Sequence, residues 1–327
     1  MKKKVLLMIF TMCLLLTGCF GKKDNYKNFI KKMKKIDKYY LTGTLEILNN
    51  EDVYTYSVKA SYKDKDYYKV SLLNKTNDHE QIILKNNDGV YVLTPSLNKN
   101  FKFQSEWPYN NSQSYLLQSI VNDIELDKKR KVSYKNNQTI ITVKANYTNN
   151  PKLIKEKIYI ENSLPKKVEV IDKDGNVIIK MNFDNIDLKP KFSKTYFDVK
   201  TNTSSKTKET SKQLEDIVYP MNMPKNTYLA SEDKVNKTDG ERVILTFLGE
   251  KPFTLVEETV NVSKELETIN VVGEPELLID TVGALSDNSI TWISDGVEYY
   301  ATSETLKESE LLDVVKSMNN IPVAKIK

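Results

Sequence analysis

Residues 79–93 read His79-Glu80-Gln81-Ile82-Ile83-Leu84-Lys85, Asn86-Asn87-Asp88-Gly89, Val90-Tyr91-Val92-Leu93. Two β-rich apolar runs flank an Asp-Gly pair, and Gly accepts the positive φ that a primed hairpin turn needs. The stretch therefore predicts two antiparallel strands. A third follows at 97–103, where Phe101 and Phe103 flank Lys102, and Trp107-Pro108 closes the extended region. Asn110-Asn111-Ser112 then opens a helix whose apolar positions, Leu116, Leu117, Ile120, Val121 and Ile124, form one broad stripe. Such a stripe needs a sheet face to cover.

Working outward, the sheet continues on both sides. Upstream, Leu41, Gly43, Leu45 and Ile47 alternate with Thr42, Thr44 and Glu46; Tyr54, Tyr56, Val58, Ala60 and Tyr62 alternate with Thr55, Ser57, Lys59 and Ser61; Tyr68, Val70 and Leu72 follow. Downstream, Ile141, Val143 and Ala145, then Ile158 and Ile160, Val168 and Val170, and Val177, Ile179, Met181 and Phe183 repeat the pattern, with Asp174-Gly175 as a second hairpin turn. Alternation on one face marks an antiparallel sheet with one covered side. Residues 25–38 add a helix, with Tyr26, Phe29, Ile30, Met33 and Ile36 on one face and Asp24 as N-cap. Roughly ten strands are enough for an open sheet to curl. The expected class is α+β: a strongly curved antiparallel half-barrel with helices on its concave face.

The ends carry other signals. Lys2-Lys3-Lys4 precedes an apolar run at 5–16 that is too short for an ordinary span, and Leu16-Thr17-Gly18-Cys19 follows. This pattern resembles a bacterial lipobox, which implies a leader at 1–18, cleavage before Cys19, lipidation of Cys19 and a short anchor at 19–23. Cleavage would also remove Cys13, leaving no disulfide, and would lower the formal charge from +5 by the three leader lysines to +2. The basic pI is therefore no nucleic-acid footprint. The remaining positive charge crowds behind the anchor, from Lys22 to Lys38, where each Lys near an anionic leaflet adds up to ~1 kcal/mol; a solvated helix face accounts for it equally well. Residues 200–213 are polar and aperiodic and read as a linker between a unit at 24–199 and a smaller α+β unit at 214–327. In that unit 242–248, 253–260 and a Trp292-containing hairpin at 290–302 read as strands. Thr305 and Glu308 read as a capping box before a helix bearing Leu311, Leu312, Val315 and Met318.

The residues point away from catalysis. His79 is the only histidine and reads as a strand-start residue without a chemical role. With one histidine and the mature cysteine acylated, neither a nucleophile–histidine system nor a zinc site is built, and no phosphate-binding glycine motif occurs. Asp172-Lys173-Asp174-Gly175 starts like a calcium loop but lacks the later acidic ligand. Asp64/Asp66 and Glu257/Glu258 read as solvated carboxylates. Nineteen tyrosines, many on alternating strands, offer amphipathic surface suited to apolar chains or peptides. The reading is a binding protein without cofactor or metal.

A resemblance sharpens this. The lipobox and basic helix, Gly43-Thr44-Leu45-Glu46-Ile47, the 79–95 hairpin ending Leu93-Thr94-Pro95, and Ser105-Glu106-Trp107-Pro108 before a helix resemble the LolA-like lipoproteins of spore-forming Gram-positive bacteria, the GerS-related and YdcC-like group. The tail from Ile290 to Tyr300 is similar to the small C-terminal domain that accompanies them, a two-part layout shared with RseB. The resemblance implies a half-barrel closing on an apolar cavity, lipid anchoring on the extracytoplasmic face of the cell membrane, and an acyl-chain, lipoprotein or envelope/spore-cortex protein as partner. Residues that would line the cavity are Tyr54, Tyr56, Val58, Leu116, Ile120, Ile124, Ile179 and Met181. The rival is a cell-wall enzyme or an obligate partner subunit of a cortex-modifying enzyme.

Overall fold

The computed structural model describes residues 25–49, 52–203, 214, 216–238, 240–260, 262 and 265–318. The leader, Cys19 and residues 204–213 of the expected linker lie outside the described residues.

The first sheet follows helix α1 (Asn25–Met33) and takes in β1 (Lys38–Asn49), β2 (Asp52–Lys63), β3 (Tyr67–Asn74), β4 (Glu80–Asn86), β5 (Gly89–Thr94) and β6 (Lys99–Phe103). After helix α2 (Leu117–Leu126) come β7 (Lys131–Lys135), β8 (Gln138–Lys144), β9 (Leu153–Glu161), β10 (Leu164–Asp172) and β11 (Val177–Asp187), then the one-turn α3 (Val199–Thr203). The second sheet holds β12 (Thr227–Lys237), β13 (Gly240–Gly249) and β14 (Phe253–Thr259). The chain then lends β15 (Glu267–Val271) to the first sheet before β16 (Glu274–Leu277), β17 (Val282–Leu285), β18 (Ser289–Ser294), β19 (Val297–Thr302) and helix α4 (Glu308–Val315). The class is α+β. Strand order is β15-β6-β5-β4-β3-β2-β1-β11-β10-β9-β8-β7 in the first sheet and β12-β13-β14-β19-β18-β17-β16 in the second; among the described residues only β15, beside β6, pairs in parallel.

The first sheet is curled. Laid flat, the nine steps from β6 to β8 would span about 43 Å. Yet Ser112, nine residues after the last residue of β6, donates its N–H to Asn146 O, two residues past β8, at 3.0 Å. Nine extended residues reach only about 30 Å, and a turn from Glu106 to Tyr109 shortens this path further. The wings of the sheet must therefore approach each other. Between them lie α1 and α2. Phe29, Leu116, Leu117, Ile120 and Ile124 are fully buried against Leu41, Leu45, Val58, Val70, Ile158 and Val168 from the sheet. The N–H of Leu117 donates to Tyr39 Oη at 3.3 Å, fixing the start of α2 over β1. The outer face is covered locally: Phe197, with Phe192 and Tyr196, packs on Ile82, Leu84, Tyr91 and Leu93.

Three elements begin or end away from their expected positions. The central helix starts at Leu117, not near Asn110, because the preceding backbone is committed elsewhere: Ser112 N–H to Asn146 O, Gln113 N–H to Ser119 Oγ and Leu116 N–H to Gln113 O. The first helix stops at Met33 so that Tyr39 can enter β1 and stack on Tyr62, with ring centroids 5.3 Å apart. The C-terminal helix is closed by Glu310 Oε2, which accepts from Lys307 N–H at 3.1 Å, while the hydroxyl of Ser303 serves Thr305 and Leu306; Thr305 and Glu308 do not form the box.

Candidate functional site: a cavity between the two sheets

A cavity of ≈ 440 Å³ lies where the second sheet meets the rim of the first. From the first sheet come the end of β1 (Ile47, Leu48, Asn49), the start of β11 (Ile178, Ile179), the 111–115 loop with Ser112, Ser114 and Tyr115, and the 147–153 connection with Tyr147 and Leu153. From the other side come β16 and the residues after it, Pro275 to Ile279, Met221, and the end of α4 with Asp313, Lys316 and Ser317. The walls are mixed, with Ile47, Leu153, Ile179, Leu277 and Ile279 interspersed with asparagines, serines and charged side chains. The charges pair across or beside the opening: Lys152 Nζ with Asp313 at 2.8 Å and Lys316 Nζ with Glu276 at 3.1 Å.

The two sheets are bolted together beside this cavity. Gln81, 2% exposed, accepts at Oε1 from the Thr281 hydroxyl (2.8 Å) and the Val282 N–H, and donates from Nε2 to Val282 O at 3.3 Å. Tyr56 Oη donates to Ile279 O at 2.7 Å, and Asn49 Nδ2 to Lys316 O at 3.3 Å. Val282, Ala284 and Ile293 of the second sheet are buried in the core of the first. The apolar bed and the satisfied polar groups make this a specific interface.

Behind the 111–115 loop lies a buried acid pair. Asp123 of α2 is 4% exposed and Glu156 of β9 is 0% exposed. No protein N–H or hydroxyl reaches either Glu156 oxygen among the described residues. Burial pushes the Asp123 carboxyl up to about 6, with Ser112 and Glu156 pulling the other way. Burial, then the neighbouring Asp123, drives Glu156 well above the carboxylate range. Two carboxyl groups so placed share a proton. Tyr147, on the cavity wall, feels the same burial and both acids, and its phenol is held well above its ordinary range.

Of the eight residues expected to line a cavity, only Ile179 does so. Leu116, Ile120, Ile124, Val58 and Met181 are fully buried in the packed core; Tyr56 is buried and serves the inter-sheet bond, and Tyr54 is half-buried against the same core. The void therefore sits at the rim, where two sheets meet imperfectly, and the helix stripe itself is filled. The acid pair was within reach of the sequence. Glu156 lies two residues before Ile158 on the inward alternation, and Asp123 lies three after Ile120 in the helix stripe.

The other singled-out groups have structural partners. Asp172 Oδ1 accepts from the N–H groups of Asp174 (2.9 Å) and Asn176 (2.8 Å), so this carboxylate caps its own hairpin turn. Asp64 and Asp66 are exposed in the β2–β3 turn. Glu257 is not solvated as expected: it is 0% exposed, accepts from Val218 N–H at 3.1 Å, and burial raises its carboxyl to about 7. Glu258 faces outward and pairs with Arg242 at 2.5 Å. His79 is half-buried ahead of β4; its N–H donates to Asn77 Oδ1 at 3.0 Å.

The family model for sporulation proteins like YdcC matches residues 2–197. Sporulation protein YdcC of Bacillus subtilis (strain 168) is 34% identical over 331 residues, covering 97% of each chain. Among solved structures, the chain is similar to the MucA/MucB complex of Pseudomonas aeruginosa (10% identity, 88% of this chain and 94% of that one, TM-score 0.34). It is also similar to the complex of the CwlD amidase of Clostridioides difficile with the GerS lipoprotein (18% identity, 53% and 96%, TM-score 0.32). The match along nearly its whole length places this chain in the YdcC-like family of sporulation proteins.

Proposed function

We propose that this protein is a lipid-anchored binding protein on the extracytoplasmic face of the cell membrane during sporulation. It takes one acyl chain, of a lipid or a lipoprotein, into the cavity between its two sheets, and catalyses no reaction. The observation that carries this reading is the cavity: its ≈ 440 Å³ falls in the range of small-ligand sites, and aliphatic side chains from both sheets line it beside polar and charged ones. An acyl chain buries its methylenes against Ile47, Leu153, Ile179 and Leu277, while its head meets the Lys152–Asp313 and Lys316–Glu276 pairs.

The test is displacement of a fluorescent fatty-acid probe from the purified protein. Ile179→Trp fills the cavity from its wall and should abolish binding with little change in melting temperature. Ile120→Trp overpacks the filled core, costing about 1–3 kcal/mol, and should leave binding to the folded fraction intact. Equal binding by wild type and Ile179→Trp would sink the cavity assignment. Anchoring is tested separately: Cys19→Ala should release the chain from membranes washed in high salt.

A second reading, a protein partner in the envelope or spore cortex, is favoured by β12. This outer strand of the second sheet has one unpaired edge and leaves Tyr228 60%, Leu229 41% and Val235 44% exposed, a surface open to strand addition. Tyr228→Lys with Val235→Lys should abolish partner capture from sporulating cells without changing probe binding.

A further inference from the structure

We propose that the surface where the C-terminal ends of α1 and α2 meet, together with the turn that follows α2, docks on an anionic lipid bilayer. The inference rests on the anchored reading above but concerns a different face of the molecule. Lys34, just past α1, reaches Glu125 near the end of α2 at 2.6 Å, so the two helix ends are neighbours. Lys35 follows on one side and Lys128, Lys129, Arg130 and Lys131 on the other. Lys34, Lys35, Lys128, Lys129 and Lys131 are exposed, and among the described residues no carboxylate pairs with Lys35, Lys128, Lys129 or Lys131. Glu125, Asp127 and the exposed Asp37, two residues past Lys35, oppose them locally.

The turn is built, not slack. Asp127 Oδ1 accepts from Lys129 N–H at 2.8 Å and Oδ2 from Lys144 N–H at 2.9 Å; Lys128 Nζ donates to Glu125 O and Arg130 Nη1 to Asp127 O. Its acid is turned to the backbone, Arg130 is half-buried, and Lys128, Lys129 and Lys131 stay exposed. Cations at helix C-termini complement the helix dipole, but this does not account for Leu126, which stands 62% exposed among them. An exposed leucine within a cluster of lysines is what a surface resting on lipid headgroups requires. Charge along the chain favours the same occupant. Residues 19–199 carry 32 Lys and Arg against 22 Asp and Glu, whereas 214–318 carry 8 against 21. An anionic membrane attracts the first part and repels the second. The anchor brings the patch within reach, since Cys19 lies six residues before Asn25, about 20 Å of chain at most.

The test is lysine footprinting of the full chain. The protein is reconstituted in vesicles of phosphatidylcholine, with or without phosphatidylglycerol, and modified with a water-soluble amine reagent read by mass spectrometry. Lys35, Lys128 and Lys129 should react several-fold more slowly on anionic than on neutral vesicles, the protection should vanish in high salt, and Lys234 on β12 should react alike on both. Leu126→Asp should remove most of the protection at unchanged melting temperature. Equal rates on the two vesicle types, or protection that survives salt, would overturn the assignment. Protection seen in cell membranes but absent from protein-free vesicles would give the patch to an acidic protein and also overturn it. If the anchored reading itself is wrong, the chain will fail to float with neutral vesicles in high salt, a result independent of the lysine rates.

Discussion

Each sheet buries one glutamate completely, and the two are accommodated by opposite means. Glu257 of the second sheet is met by a backbone N–H, that of Val218, which ties the chain ahead of β12 to β14. Glu156 of the first sheet is met by another acid, Asp123, carried on the helix that closes the concave face. A backbone donor is fixed and stabilises the ionised form; an acid neighbour works only while a proton is shared. Glu257 therefore has one fixed donor and Glu156 an acid neighbour, while burial raises both carboxyls.

The largest effect expected is on the joint between the two. Gln81→Leu would strand both backbone groups of Val282 inside the seam, while the Thr281 hydroxyl keeps Ile293 O as its acceptor. At about 1–3 kcal/mol for each stranded group, the loss should be several kcal/mol, and calorimetry should show the single transition splitting in two. One unchanged transition would mean that the sheets do not depend on this seam.

Next come the acids themselves. Both Asp123 and Glu257 have folded pKa values above their ordinary ones, about 6 and about 7. The native state then holds more protons than the unfolded chain, so both contributions are full below the ordinary carboxylate range and are lost as pH rises through about 4 to 7. The lowered carboxyls of Glu169 and Glu258 act in the opposite sense, losing stability as pH falls through their folded values. Asp123→Asn should therefore stabilise the protein at pH 8, by on the order of 1–3 kcal/mol, and flatten its decline above pH 5. Glu257→Gln should gain less, because the amide accepts more weakly from Val218 N–H. Urea titrations of both variants at pH 5 and pH 8 decide this, and a larger gain for Glu257→Gln would reverse the contrast.

Smaller effects sharpen it. Tyr56→Phe removes one buried hydroxyl bond to Ile279 O and should cost about 1 kcal/mol. Lys152→Ala removes an exposed pair with Asp313 and should cost about 0–1 kcal/mol, while altering affinity for an anionic ligand head more than it alters stability.

How far the molecule is legible in its sequence also differs between the two parts. β1 shows plainly because one face is buried and Tyr39, Leu41, Gly43, Leu45 and Ile47 recur at every second residue, whereas β4 and β5, covered on both faces, show as continuous apolar runs around their Asp-Gly turn. β12 does not show: ten of its eleven residues are exposed, so no alternation is imposed on them. β15 cannot be read locally either, since its parallel partner β6 lies far away in the chain. The cavity is hidden for a related reason. Its walls come from loop and strand ends that meet only when the second sheet docks, whereas the Leu116–Ile120–Ile124 stripe, conspicuous in the sequence, is conspicuous because it is fully packed.

The most direct measurement is photo-crosslinking with a diazirine fatty acid, mapped by peptide mass spectrometry on the intact protein. The account predicts adducts from both sides of the seam, at Ile47–Leu48 and Ile178–Ile179 on one and Leu277–Ile279 on the other, competed by unlabelled fatty acid. Adducts confined to the α1 and α2 face, or none that competitor removes, would contradict it.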